Sequence, residues 1–224
     1  MSSIFWRLTQ RVYYGTYGKI DLDIADPAIL FPEVFDKRRT ISLMNVPWQW
    51  GDTTNGNAII FLCELAAAGY SPIVEFGTNR GRTTLDLALN VQNYKIYTID
   101  FGQFQDDSNM EHRDYQKVRV GELFLDSDKQ IRDKIEVISG DSMKLDLSYL
   151  NGEIGMVIVD GGHSYDVCLS DSIKAMSLVR KGGVIVWDDY GNYWPGVKKA
   201  INEIAKKTKL HYLKNESLVV YKRN

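Results

Sequence analysis

Cysteine is scarce in this chain. Only Cys63 and Cys168 occur among 224 residues, and both fall in segments with helical patterning. That argues against a disulfide scaffold and against a zinc site built from cysteine pairs. Long apolar runs are missing too, since no stretch approaches the ~18 consecutive apolar residues of a membrane span. The N-terminal stretch is broken by Arg7, Gln10 and Arg11, so it lacks the apolar core of a signal peptide, and a cytoplasmic protein is expected. Nor is there an excess of one charge. Lys and Arg number 27 against 29 Asp and Glu, a net charge of −2. A protein gripping nucleic acid through phosphate contacts would be more basic, so nucleic acid is not an expected partner. Proline is sparse and uneven: of five, Pro27, Pro32 and Pro47 lie in the first ~55 residues.

What is present is ordinary for a globular protein: 44% hydrophobic and 25% charged residues. At about 150 residues per domain, the length suggests one large domain or one domain with an appendage. Residues 1–56 lack a clean periodicity but carry Phe5, Trp6, Tyr13, Tyr14, Tyr17, Phe31, Phe35, Trp48 and Trp50. They read as short helices and loops that cover residues 57–224. Ile4 to Tyr14 has the pattern of a basic amphipathic helix, read as docked on the domain or on a second subunit rather than on a membrane. This segment is the expected seat of any homo-oligomer contact.

From Asn57 the pattern becomes regular. A helix over Asn57–Gly69 precedes an apolar strand at Ile73–Phe76, and a helix over Arg82–Asn90 precedes a strand at Tyr94–Ile99. A polar insertion, Phe101–Asp128, interrupts the alternation. Strands follow at Ile135–Ile138, Ile154–Val159 and Val184–Trp187, with helices at Ser164–Arg180 and Gly196–Lys207. The strands Leu210–Lys214 and Leu218–Lys222 are close enough to form an antiparallel hairpin. Near-continuous apolar strands alternating with helices imply an α/β, doubly wound parallel sheet covered on both faces. In such sheets ligands bind beyond the carboxyl ends of the strands.

Those ends hold the candidate residues. The first strand runs into Glu75-Phe76-Gly77-Thr78-Asn79-Arg80-Gly81-Arg82-Thr83. Its two glycines permit close backbone approach, and the following helix start can receive an anionic group. The spacing is neither G-x-G-x-x-G nor a P-loop, and a tight turn without ligand is the alternative. Asp100 ends the second strand, where a carboxylate suits two ribose hydroxyls or a cap. Asp141-Ser142 follows the third strand, where Asp141 can accept an exocyclic amino group or cap a helix. Asp160, Asp188 and Asp189 end two neighbouring strands. Three carboxylates there repel unless a cation such as Mg²⁺ or protons intervene, although Asp188 can instead cap a helix and Asp189 can be solvated. His163 is placed for a base or substrate contact, or for hydrogen bonding at its helix start. His112 and His211 lie away from these ends.

Taken together, Glu75-x-Gly77-x-x-x-Gly81-x-Thr83, Asp100, Gly140-Asp141-Ser142, Asp160-Gly-Gly-His163-Ser-Tyr165 and Gly182-Gly183…Asp188-Asp189 resemble the class I S-adenosylmethionine-dependent methyltransferases. More narrowly, the set is similar to the family of macrolide and aminocoumarin sugar O-methyltransferases and cephalosporin hydroxylase-like proteins. The resemblance spans about Asn57 to Lys222. It implies a seven-stranded Rossmann-like sheet of order 3-2-1-4-5-7-6, with strand seven antiparallel. It implies S-adenosylmethionine held by Glu75, Gly77, Thr78, Asn79, Gly81, Thr83, Asp100, Asp141, Ser142 and Asp160. The methionyl end would lie over Gly77 to Gly81, the ribose at Asp100 and the adenine at Asp141-Ser142. It further implies Mg²⁺ on Asp160, Asp188 and Asp189, with His163 and Asp160 acting on the acceptor.

The function expected is O-methylation of a hydroxyl on a sugar or other small-molecule acceptor. A non-catalytic binding or assembly protein of the same fold is the alternative, with an NAD-dependent oxidoreductase third. The insertion and the N-terminal segment are expected to cover the acceptor, with Tyr115, Trp48 or Trp50 as contacts.

Overall fold

The computed structural model describes residues 20–36, 39–45, 56–101, 119–214 and 217–224. The expected helix at Ile4–Tyr14, His112, the aromatic contacts Trp48, Trp50 and Tyr115, and most of the insertion lie outside them. The strands are β1 (Asp23–Ala25), β2 (Ile73–Phe76), β3 (Ile96–Asp100), β4 (Ile135–Ser139), β5 (Ile154–Val159), β6 (Val179–Trp187), β7 (His211–Leu213) and β8 (Val219–Lys222). The main helices are α1 (Pro27–Leu30), α2 (Pro32–Phe35), α3 (Gly56–Ala67), α4 (Arg82–Asn90), α5 (Glu122–Leu125), α6 (Lys129–Arg132), α7 (Tyr165–Leu178) and α8 (Pro195–Ala205). No helix among the described residues is long and apolar enough to cross a membrane.

The strands form one eight-stranded sheet in the order β1-β7-β8-β6-β5-β2-β3-β4. Numbered from β2, seven of them reproduce the expected 3-2-1-4-5-7-6. β8 is the antiparallel member, pairing with both β6 and β7. The eighth strand, β1, is an addition: it pairs in parallel with β7, through Asp23 with His211 to Ala25 with Leu213. Part of the N-terminal segment is therefore sheet rather than a separate layer. Phe31 and Val34, which follow β1, are buried in the core.

Alternation along the strands builds two cores. On one face Met156, Ile158, Val184, Val186 and Val220 pack with α3 and with Leu87 and Ala88 of α4. On the other, Val157, Val159, Ile185, Trp187 and Val219 pack with Cys168, Ala175 and Leu178 of α7 and with Val197 and Ile201 of α8. Successive strand residues thus feed opposite layers, as a period of two requires. The longest difference from the expected boundaries is in β6, which begins at Val179 rather than Val184 because Val179 already pairs with Ile154.

Gly155 marks a close crossing. A Cβ there would lie 2.4 Å from the Ser71 amide nitrogen and 2.7 Å from the Ser71 carbonyl oxygen. Backbone cannot move aside as a side-chain tip can, so strain is unavoidable. Gly155→Ala is expected to lower the unfolding free energy by about 1–3 kcal/mol, measured by urea titration. An unchanged midpoint would show that the crossing can relax.

Candidate active site

The carboxyl ends of β2 to β5 surround a cavity of about 370 Å³. Its wall includes Gly77, Asn79, Asp100, Asp141, Ser142, Asp160 and His163 of the expected site. Glu75, Thr78, Gly81, Thr83, Asp188 and Asp189 do not line it; they sit behind the wall or beside it.

The loop after β2 is shaped by close approach. Gly77 has φ +97°, and a Cβ on it would lie 2.1 Å from the Asp160 carbonyl oxygen. Only glycine accommodates both the left-handed backbone and that contact. Asp100 fastens the loop to β3, its Oδ2 accepting the amide N–H of Thr78 (3.1 Å) and of Asn79 (2.9 Å). Behind the loop, Glu75 Oε2 accepts from the hydroxyls of Thr84 and Thr98, and the Thr98 hydroxyl also bonds that of Thr78. Glu75 is thus a buried brace. Burial pushes its carboxyl up to about 7, against the pull of the two threonine hydroxyls.

A second brace comes from the far end of the insertion. The amide of Gly121 donates to the Asn79 carbonyl (2.8 Å), and that of Leu123 to the Arg80 carbonyl (3.0 Å). Glu122 pairs with the Arg80 guanidinium. The Phe124 ring fills the space that a Gly81 side chain would need, 2.5 Å from the position of its Cβ.

At the other rim, His163 Nε2 lies 3.0 Å from Asp189 Oδ2, and its ring stacks on Trp194 with centroids 3.8 Å apart. Asp189 adopts φ +63°, a conformation that costs a non-glycine residue about 1 kcal/mol. Its amide donates to Asp188 Oδ1 (2.8 Å), which also accepts from the Ser217 hydroxyl. Asp188 therefore holds the turn that aims Asp189 at His163.

The same bonds bear on the expected Mg²⁺. Asp188 is engaged by Ser217 and its own turn, and Asp189 by His163. No group of three His, Cys, Asp or Glu side chains among the described residues is placed to hold a metal ion. In this arrangement Asp160, Asp188 and Asp189 do not converge on a common centre.

Two residues of the site were missed in the sequence. Trp194 carried no signal apart from its aromaticity. Asp171 did: it interrupts the buried stripe Cys168, Ala175, Leu178 of α7 with a carboxylate. It lines the cavity, and burial pushes its carboxyl up to about 6.

Comparison with known proteins gives the family. A family model described as a methyltransferase domain matches residues 74–190, just over half the chain, from within β2 through Asp188 and Asp189. The chain belongs to the methyltransferase-domain family. Among solved structures, this methyltransferase is similar to CalS11, a calicheamicin methyltransferase, with TM-score 0.55 and 17% identity over 74% of this chain and 77% of that one. It is also similar to an O-methyltransferase from Bacillus cereus in complex with SAH, with TM-score 0.52 and 15% identity over 75% of this chain and 82% of that one. At such identities the likeness is one of fold. An uncharacterized protein R132 of Acanthamoeba polyphaga mimivirus is 39% identical over 61 residues, which is 26% of this chain and 28% of that protein. The chain thus matches little more than a quarter of that relative's length.

The buried carboxyls give a stability test. Glu75 and Asp171 are both raised above their ordinary values of 4.5 and 3.8. Their contribution to stability is therefore fully present below those ordinary values and is lost as pH rises to about 7 for Glu75 and about 6 for Asp171. Glu75→Gln should lose less stability than the natural protein between pH 5 and pH 8, by up to about 3 kcal/mol. Denaturant midpoints at the two pH values measure it, and parallel losses would refute it.

Proposed function

We propose that this S-adenosylmethionine-dependent methyltransferase methylates a hydroxyl of a small-molecule acceptor, with His163 as the general base. The observation that carries this reading is the orientation of His163 at the cavity rim. Asp189 accepts the Nε2–H, which fixes the tautomer and leaves the lone pair on Nδ1. That nitrogen is buried and finds no hydrogen-bond partner among the described residues, so an acceptor hydroxyl that reached it would supply the missing bond, and Trp194 stacked on the ring limits its rotation. An imidazole held this way can take the proton of an acceptor hydroxyl at neutral pH.

The cavity fits the cofactor. A Cβ at Gly77 would fill the cradle, Asp100 stands where hydroxyls can meet a carboxylate, and Ile99, Phe101, Met143 and Val167 supply apolar wall. When bound, the sulfonium supplies the reactive methyl group. The chain's own part is alignment and proton removal. The Gly77–Gly81 loop, braced by Asp100 and Glu122, fixes one reactant, and His163 receives the proton from the other at Nδ1. Holding both in line is worth several kcal/mol.

A sugar acceptor is the favoured class. CalS11 is described as a TDP-rhamnose 3'-O-methyltransferase, and the motifs of this chain resemble those of sugar O-methyltransferases. We read residues 57–224 as the catalytic domain, with the segment before it adding β1 to its sheet.

The reading is tested by incubating the protein with methyl-labelled S-adenosylmethionine and a panel of nucleotide sugars and simple diols, TDP-rhamnose included. Label should appear on a hydroxyl oxygen; label confined to nitrogen or carbon would sink O-methylation. With an active acceptor in hand, His163→Ala should lower kcat by about 10²- to 10⁴-fold while leaving S-adenosylhomocysteine affinity within about 3-fold, read by calorimetry. Turnover should also survive EDTA. Loss on chelation, restored by Mg²⁺, would return Asp160, Asp188 and Asp189 to the role of metal ligands.

A further inference from the structure

The cavity contains a carboxylate that the mechanism above does not use. Asp171 is 1% exposed yet lines the cavity beside Ser142, Gly161 and Val167. Ser142 stands next to it on that wall and pulls against the effect of burial on its carboxyl, while its Oδ1 finds no hydrogen-bond partner among the described residues. Leaving a buried acceptor unsatisfied costs about 1–3 kcal/mol, and more if it is charged. A ligand carrying a donor would remove that cost. Gly161 lies between: a Cβ there would be only 3.3 Å from Asp171 Oδ2, so a glycine keeps the approach to the carboxyl clear of a side chain.

The donor can be assigned from the rest of the wall. With the methionyl end over Gly77 and hydroxyls at Asp100, the heterocycle falls toward Gly140–Met143 and Val167, the end where Asp171 stands. The exocyclic amino group is the donor of a purine at that end. Asp141 was the expected acceptor, but its Oδ1 already accepts the Met143 amide at 3.0 Å and its Oδ2 pairs with Lys144 at 2.9 Å. We propose that Asp171, rather than Asp141, accepts the exocyclic amino group of the cofactor's purine at its unpartnered Oδ1. This rests on the S-adenosylmethionine reading given above.

The test is calorimetry on the full chain with S-adenosylhomocysteine and with S-inosylhomocysteine, in which a 6-oxo group replaces the 6-amino group. The natural protein should bind the amino compound about 10- to 100-fold more tightly, because the oxo group sets an acceptor against an acceptor. Asp171→Asn can donate as well as accept, and it should bring the two affinities within about 3-fold. Asp171→Ser, should the Asn variant fold poorly, should also narrow the ratio. Since both ligands are measured on one protein, a general loss of stability cancels. Unchanged discrimination in the Asp171 variants, none in the natural protein, or collapse of discrimination in Asp141→Asn instead would each overturn the assignment. If S-adenosylhomocysteine does not bind the natural protein at all, the cofactor reading falls with it; binding with unaltered discrimination removes the role of Asp171 alone.

Discussion

β5 is buried along its whole length, paired on one side with β2 and on the other with β6 and covered by helices on both faces. A strand so enclosed has no room for an unpaired polar side chain, and its sequence from Ile154 to Val159 is wholly apolar or glycine. Polar residues can appear only where the strand stops. Asp160 follows Val159, Asp188 follows Trp187 on the neighbour, and Gly77 follows Phe76 on the other side. The chemistry of the chain is gathered at one end of the sheet because the physics of the middle forbids it elsewhere.

What gathers there is held by backbone more than by side chains reaching for each other. Asp100 holds the β2 loop through two amide N–H groups, and residues 121 and 123 hold it from outside through two more bonds. At the opposite rim one carboxylate of the Asp188-Asp189 pair builds a turn and the other uses it. Asp188 accepts from the Asp189 amide, and Asp189, in its left-handed conformation, meets His163. This division of labour explains why two adjacent aspartates need not act alike. Their environments differ: Asp188 is 4% exposed, whereas the Asp189 side chain is 21% exposed.

The sheet was legible in the sequence because period-two and period-3.6 patterns follow directly from burial, and Ile73–Phe76, Arg82–Asn90 and Ile154–Val159 carry them cleanly. β1 was not, since Asp23-Ile24-Ala25 is too short for a pattern and owes its strand conformation to β7. The candidate site was legible as positions after strands, which placed Gly77, Asp100, Ser142 and His163 on one cavity wall. Which carboxylate faces what was not legible. The direction of Asp188 depends on Ser217, 29 residues further along, and that of Asp189 on a left-handed turn. Asp171 was readable as a charge on an apolar stripe, although α7 continues through it undisturbed.

β1 also changes what the end of the sheet presents to its surroundings. Without it, β7 would stand at the edge, with buried Tyr212 and Leu213 beside an open row of backbone donors and acceptors. A strand of that kind is a template for pairing with another chain. With β1 in place the edge among the described residues is a three-residue strand of mixed polarity, with Pro27 two residues beyond it. Proline offers no amide hydrogen, so a pairing that began there could not be propagated along the chain. Among the described residues, the short N-terminal strand thus replaces a more apolar edge with one poorly suited to extending the sheet.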